Sequence, residues 1–368
     1  MAKRVGIDKW LFGSTLLLVV TGVVMVFSAS AVMAGERFGS PYHFLWRQLG
    51  WAIAGLAAMA VIMKIDYRRW KHPGIVFTFL GVTTLLLVAV FFLDRAHHTH
   101  RWIRLGHIMS LQPSELAKPA LILFLAFFLE KRMKALEGDG DDWRHTLLPA
   151  VIPAALFATL IVAQPDLGTA LVCLGITAGI LFVAGVRLRY FAYGLVPIVP
   201  ALCYLIFFVP WRWARILAFL FPDRDPQGIG FHINQSLIAV GTGGITGLGL
   251  MEGRQKLFYL PEPHTDFVYA VLSEELGLVG AILVAALFFI FAWRGFRAAL
   301  RSRDGFARFL AAGITTMIVL QAFFNISVVL ALLPTKGIPL PFISYGGSSL
   351  FVMLASVGVL LNTTQQTE

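Results

Sequence analysis

A chain of 368 residues that is 58% hydrophobic and only 14% charged is too apolar to fold as a water-soluble globule. Its apolar runs are continuous and about twenty residues long, not short and alternating, which excludes a transmembrane barrel. The formal charge of +10 sits in short connections and not in a basic low-complexity tail, so it points to membrane topology and an anionic substrate, not to nucleic acid.

Apolar runs bounded by charges or turn residues predict ten spans, at 10–34, 44–63, 74–93, 115–130, 147–163, 167–186, 191–209, 267–293, 306–332 and 348–362. The expected architecture is an all-α polytopic membrane protein forming a single membrane domain over 1–368. The first run follows Lys3, Arg4 and Lys9 and is too long for a signal-peptide core, so it reads as a retained span. Connections after even-numbered spans are compact and basic: Lys64, Arg68, Arg69 and Lys71; Lys131, Arg132 and Lys134; Arg187 and Arg189; Arg294, Arg297, Arg301 and Arg303. The positive-inside rule places them, and both termini, in the cytoplasm. Cys173 and Cys203 both fall in apolar runs, which offers neither a disulfide framework nor a metal cluster.

Three outer segments are unlike ordinary connectors. Residues 94–114 carry four histidines (His97, His98, His100 and His107) beside Arg101, Trp102 and Arg104, in a spacing that matches no defined zinc-ligand pattern. The largest, 210–266 between spans 7 and 8, is expected to be structured. It opens with WRWARILAFLF, which has the aromatic-plus-Arg character of an interfacial helix, and then runs through GTGGITGLGL (241–250). That Gly-rich stretch lacks the terminal GK[ST] of a P-loop. The third, 333–349, is too apolar and too rich in Gly and Pro for a solvated loop, and is expected to fold back into the protein at membrane depth.

Carboxylates carry most of the chemical signal. Asp266 ends the largest loop, in company with Glu262, His264 and Thr265, where a helix cap and a reactive base are both served by the same position. On a continuous helix Glu274 would lie about 12 Å deeper than Asp266, too deep for a headgroup and better suited, with Glu275, to polar contacts between helices. Glu115 and Lys118 are spaced to pair on one helix face, either as a structural ion pair or with Lys118 beside a bound anion. Asp166 stands where it can cap the sixth span.

Six segments in order along the chain carry a resemblance: SAS (28–30), RW (101–102), QPSELAK (112–118), QPDLGTA (164–170), YLPEPHTDFVYAVLSEELG (259–277) and LPTKGIPLPFISYGGSSL (333–350). Together they resemble the SEDS family (shape, elongation, division and sporulation), polytopic peptidoglycan glycosyltransferases. The PTKG tetrad (334–337) and the SAS triplet resemble the division branch more than the elongation branch. The chain departs from the common pattern at His100, where a second Arg often precedes RW, and at Ser327 and Ala331, where Gly is usual after Asn325.

The resemblance implies polymerisation of lipid II in the bacterial cytoplasmic (inner) membrane. The acceptor's GlcNAc 4-hydroxyl attacks C1 of the donor MurNAc, undecaprenyl pyrophosphate leaves, and Asp266 is the family's essential aspartate. An α-linked donor and a β-linked product require one inversion, one base and no covalent intermediate; a positioned base is worth about 10²–10⁴-fold. Charge growing on the leaving group calls for cations, with Lys118, Arg101, Lys336, Arg215 or a divalent ion (Mg or Mn) as sources. The substrate-binding set is accordingly Arg101, Trp102, Glu115, Lys118, Arg215, His264, Lys336 and Ser344, with no metal ligands assigned. The expected partners are a class B penicillin-binding protein, other division or elongation proteins and membrane lipid. A lipid II flippase and a scaffold without chemistry are the competing classes.

Overall fold

A computed structural model describes residues 6–93, 101–105, 109–137, 143–225, 228, 230–257 and 259–365. The described residues are nearly all helical. In chain order they form α1 (Lys9–Phe38), α2 (His43–Ile62), α3 (Pro73–Leu93), a hairpin of β1 (Ile103–Leu105) and β2 (Met109–Leu111), α4 (Pro113–Glu137), α5 (Leu148–Ala163), α6 (Leu167–Val183), α7 (Leu188–Phe207), α8 (Pro210–Leu220), α9 (Phe231–Gly243), α10 (Val268–Arg301), α11 (Gly305–Val329) and α12 (Gly347–Thr364). The strands pair antiparallel with Arg104 opposite Ser110, so the first outer segment contains a small hairpin absent from the all-α expectation. The four histidines of that segment lie outside the described residues.

Each of the ten predicted spans coincides with one helix, α1–α7 and α10–α12. Eight are long and apolar enough to cross a membrane. At 17 residues α6 is shorter, and α4 carries Glu115, Lys118 and Glu130 within its apolar stretch. The centre of the bundle is α11 and α12, most of whose residues are buried. At the periphery α7 buries none of its residues and stands off α5 and α6 across a cleft of about 960 Å³.

Polar contacts fix which ends of the helices lie together. Asp8 caps α1 by accepting from the amides of Trp10 and Leu11, and also pairs with Arg294 on α10 at 2.5 Å. Asn362 near the end of α12 accepts from the Tyr67 amide and donates to the Met63 carbonyl at the turn after α2. The start of α1, the end of α12 and the basic turn after α2 therefore share one end of the bundle. The loop holding Asp266 is at the opposite end.

The 210–266 connection is structured, as its length and composition predict, but the helix that follows is not continuous. Gly277 interrupts α10 with φ 65° and ψ −165°. The carbonyls released there are taken up by the Gly-rich stretch: the Leu248 and Gly249 amides donate to Glu274 and Glu275, and the Leu278 and Val279 amides donate to Gly244 and Ile245. The sequence expectation of a single straight descent from Asp266 to Glu274 is corrected accordingly.

Glu274 and Glu275, both buried, tie this loop down. Glu274 accepts from the Arg254 and Gln255 amides, at 2.8 and 3.2 Å through Oε1. Glu275 accepts from the Met251 amide at 3.0 Å, from Ser28 of the SAS triplet at 2.6 Å, and from Lys256 Nζ at 2.6 Å. Only the Ser28 bond is the helix-to-helix contact expected of these acids; the others run from loop to helix. Removing one partner of a buried pair strands the other charge. Lys256→Met is expected to destabilise the fold by about 3 kcal/mol, with Lys256→Met/Glu275→Gln regaining part of the loss; apparent Tm in detergent checks both.

Candidate active site

Asp266 lines a cavity of about 340 Å³ between the start of α6, the α7–α8 junction and residues 333–338. Its polar lining comprises two carboxylates, Asp166 and Asp266, and four cations, Arg101, Arg212, Arg215 and Lys336. The cavity walls are otherwise apolar, including Leu171, Ile206, Trp211 and Phe324. Elements up to 230 residues apart in sequence meet here.

Local chemistry explains each placement. Asn325, a buried polar side chain on α11, donates through Nδ2 to the carbonyls of both Asp266 and Ile338 at 2.8 Å, lashing the Asp266 loop to the returning 333–349 segment. Ser344 reinforces this joint, donating to the Thr265 carbonyl at 2.5 Å and accepting from the Leu340 amide at 2.8 Å. The Tyr345 amide donates to the His264 carbonyl at 2.9 Å. Gly337 is required beside Asp266, because a Cβ there would sit 2.7 Å from Oδ2. Ala331, at the head of the segment, has φ 52°, which gives a physical reason for the glycine usual at this position in the family.

The cations are held by backbone. Arg101 donates through Nε to the Gln164 carbonyl at 3.0 Å and through Nη2 to the Pro165 carbonyl. Arg215 donates to the Thr335 carbonyl at 3.4 Å, and its guanidinium lies over the Trp211 ring at 5.1 Å, as does that of Arg212 at 4.9 Å. Asp166 caps α6, accepting from the Thr169 amide and hydroxyl at 3.1 and 2.8 Å and from Gln112 at 3.4 Å. Among the described residues nothing donates a hydrogen bond to the Asp266 carboxylate.

Burial, with the nearby charge of Glu262, pushes the Asp266 carboxyl up to about 7, against the opposing pull of Arg215 and Arg101. Burial likewise brings Lys336 down to about 8, aided by Arg212 and Arg215 and opposed by Asp166. A carboxylate poised near neutrality and facing cations is arranged to accept a proton while negative charge builds opposite it. Among the described residues no three His, Cys, Asp or Glu side chains converge, and Asp166 already spends its oxygens on Thr169 and Gln112. This donor set does not form a site for a divalent ion, and no step is routed through one.

The structure brings Asp266, Arg101, Arg215 and Lys336 together and leaves the other expected residues off the lining. Lys118 does not face an anion: it is 1% exposed and bonded to Glu115 Oε2 at 2.8 Å and Gln321 Oε1 at 2.9 Å, while Ser349 donates to the same Glu115 oxygen. The structural ion pair is the arrangement observed. His264 packs its ring against Phe44 and Tyr345, with centroids at 4.7 and 5.7 Å, where burial lowers its basicity. Trp102 and Ser344 are absent from the lining as well. Arg212 and Asn325 were missed. Arg212 sits in a stretch read as interfacial, and Asn325 is a lone polar group in an apolar span, which was itself a signal.

Fold and site together define a polytopic α-helical membrane protein with a carboxylate-and-cation cavity at one end of its bundle. The family model described as cell cycle protein (FtsW, RodA, SpoVE) matches residues 8–368, and the chain belongs to that family. It is 45% identical to a probable peptidoglycan glycosyltransferase FtsW of Geobacter sp. (strain M18), over 99% of this chain and 98% of that protein. It is 43% identical to stage V sporulation protein E of Bacillus subtilis (strain 168), over 99% and 98%. Its fold is similar to a chain of a peptidoglycan synthase complex that coordinates polymerization and crosslinking, with a TM-score of 0.77, 30% identity and 98% of each chain covered. It is also similar to the rod shape determining protein RodA of Thermus thermophilus, with a TM-score of 0.70, 28% identity and 99% and 98% covered.

Proposed function

We propose that the chain is a peptidoglycan glycosyltransferase that polymerises lipid II, with Asp266 as general base. The observation that carries this is the Asp266 carboxyl, raised to about 7 by burial, in one cavity with four cations. The acceptor's GlcNAc 4-hydroxyl gives its proton to Asp266 as its oxygen bonds to C1 of the donor MurNAc. The C1–O bond breaks with inversion, and its electron pair leaves on undecaprenyl pyrophosphate. Arg101, Arg215 and Lys336 face the charge that develops there.

The names of the relatives support the activity, and the similarity to a synthase complex supports a class B penicillin-binding protein as partner. Ten spans in the bacterial inner membrane, with both termini cytoplasmic, fit the ten coinciding helices and the basic end of the bundle. The test is glycan-chain formation from lipid II by the chain reconstituted with its partner, wild type against Asp266→Ala and Asp266→Asn.

The pH profile follows with its sign. The base must be ionised, so kcat/KM should rise through about 7 and fall roughly tenfold per unit below it. Lys336 must be charged, so an alkaline limb is expected near 8, and Lys336→Arg should remove it. A flat profile between pH 5 and 9 would defeat both assignments.

A further inference from the structure

The cavity holds one cation whose hydrogen bonding is conspicuously incomplete. Arg212 is 8% exposed and stands near the start of α8, with its guanidinium over the ring of Trp211. Nη1 reaches the Leu205 carbonyl at 3.3 Å, but the buried Nε–H has no acceptor. The other two arginines spend donors on the Gln164, Pro165 and Thr335 carbonyls. A buried donor on a charged group is costly to leave unmade, and here it borders an open cavity and not packed core. The lining also carries four cations against two carboxylates, so positive charge exceeds negative even with both acids ionised. The chemistry that settles both imbalances is a compact group of two or more negative charges with strong acceptor oxygens.

We propose that Arg212 is a pyrophosphate ligand of this site, its Nε–H completed by a phosphate oxygen of the lipid-linked donor and then of the departing lipid pyrophosphate. This rests on the glycosyltransferase reading for the identity of the leaving group. Trp211 braces the guanidinium plane, and Arg215, over the same ring and bonded to Thr335, joins α8 to the segment that carries Lys336. Arg212 acts on the leaving side of the reaction, opposite the proton transfer to Asp266.

The test is equilibrium binding of undecaprenyl pyrophosphate, and separately of inorganic pyrophosphate, to the full chain in nanodiscs. Arg212→Met is expected to weaken lipid pyrophosphate binding about tenfold or more, and Arg212→Lys, which keeps charge but lacks Nε–H, about fivefold. Asp266→Asn should bind within about twofold of wild type, because the base does not hold the pyrophosphate. The apparent Tm of unliganded Arg212→Met should stay level or rise, since an unneutralised buried charge near Arg101 is removed. A lower Tm with unchanged affinity would make Arg212 structural and overturn the proposal. Should Arg212→Met fail to fold, wild-type affinity in Arg212→Lys overturns it on its own. Arg212-dependent capture of inorganic pyrophosphate without binding of the lipid form would overturn the assignment to the leaving group. Failure of wild type to make glycan, with the Arg212 effect on lipid pyrophosphate intact, would sink the polymerase reading and leave this site standing.

Discussion

Asp266→Asn is expected to lower the rate of lipid II polymerisation by about 10³-fold while leaving the protein folded. The substitution keeps the shape of the side chain and removes only its ability to take a proton. The loss should fall on kcat far more than on KM, because the interaction removed is one made in the transition state. Stability is predicted to move the other way. Burial raises the Asp266 carboxyl from 3.8 to about 7, so the folded state holds this proton more tightly than the unfolded chain. The group's favourable contribution is complete below pH 4 and is lost as pH rises through 7. At pH 8 wild type carries an ionised, desolvated carboxylate and the Asn variant does not. Apparent Tm at fixed scan rate should therefore be higher for Asp266→Asn at pH 8, with the gap closing toward pH 4. Polymerisation within tenfold of wild type would remove Asp266 as the base, and impaired headgroup translocation in the same variant would favour the flippase class.

The residues most legible in the sequence were those whose chemistry is unusual for their surroundings. Asp266 at the end of a long outer loop, Lys336 in an apolar returning segment and Arg101 beside the membrane boundary all stood out, and the fold gathers them into one cavity. Glu115 and Lys118 stood out for the same reason, yet spacing on a helix shows only that two side chains can meet. Gln321 and Ser349, which close that pair off, come from α11 and α12, and nothing local announces them. Arg212 was hidden by its company, since two tryptophans and two arginines in five residues describe an interfacial helix equally well. The break in α10 was hidden by distance. A lone glycine in a 34-residue apolar helix carries little signal until the stretch thirty residues earlier is seen pairing with it. Gln255, Arg254 and Lys256 belong to the same unannounced contact, which is why Glu274 and Glu275 looked like free intramembrane acids when read alone.

Gly247→Ala should be among the most damaging single-atom additions to this chain. Gly247 has φ 82°, and a Cβ there would lie 2.1 Å from the Glu275 carbonyl oxygen and 2.7 Å from the Gly277 amide nitrogen. Both neighbours are backbone, so neither can rotate away. Gly277 answers from the other side, its own Cβ position lying 2.3 Å from the Gly247 nitrogen. The two glycines thus permit the loop to pair directly with the broken helix and satisfy carbonyls that a membrane would leave exposed. Forcing them apart costs the overpacking and the hydrogen bonds together, about 3–4 kcal/mol. Gly241→Ala is the control. It lies in α9 with open space around it and helical geometry, and should be neutral or slightly stabilising. Because the short helix of residues 268–276 hangs between this joint and Asp266, the Gly247→Ala protein that does fold should also polymerise poorly. Apparent Tm and glycan yield should fall together for Gly247→Ala and stay at wild-type values for Gly241→Ala. Equal Tm for the two variants would show that the Gly-rich stretch is not what holds the break in α10 closed.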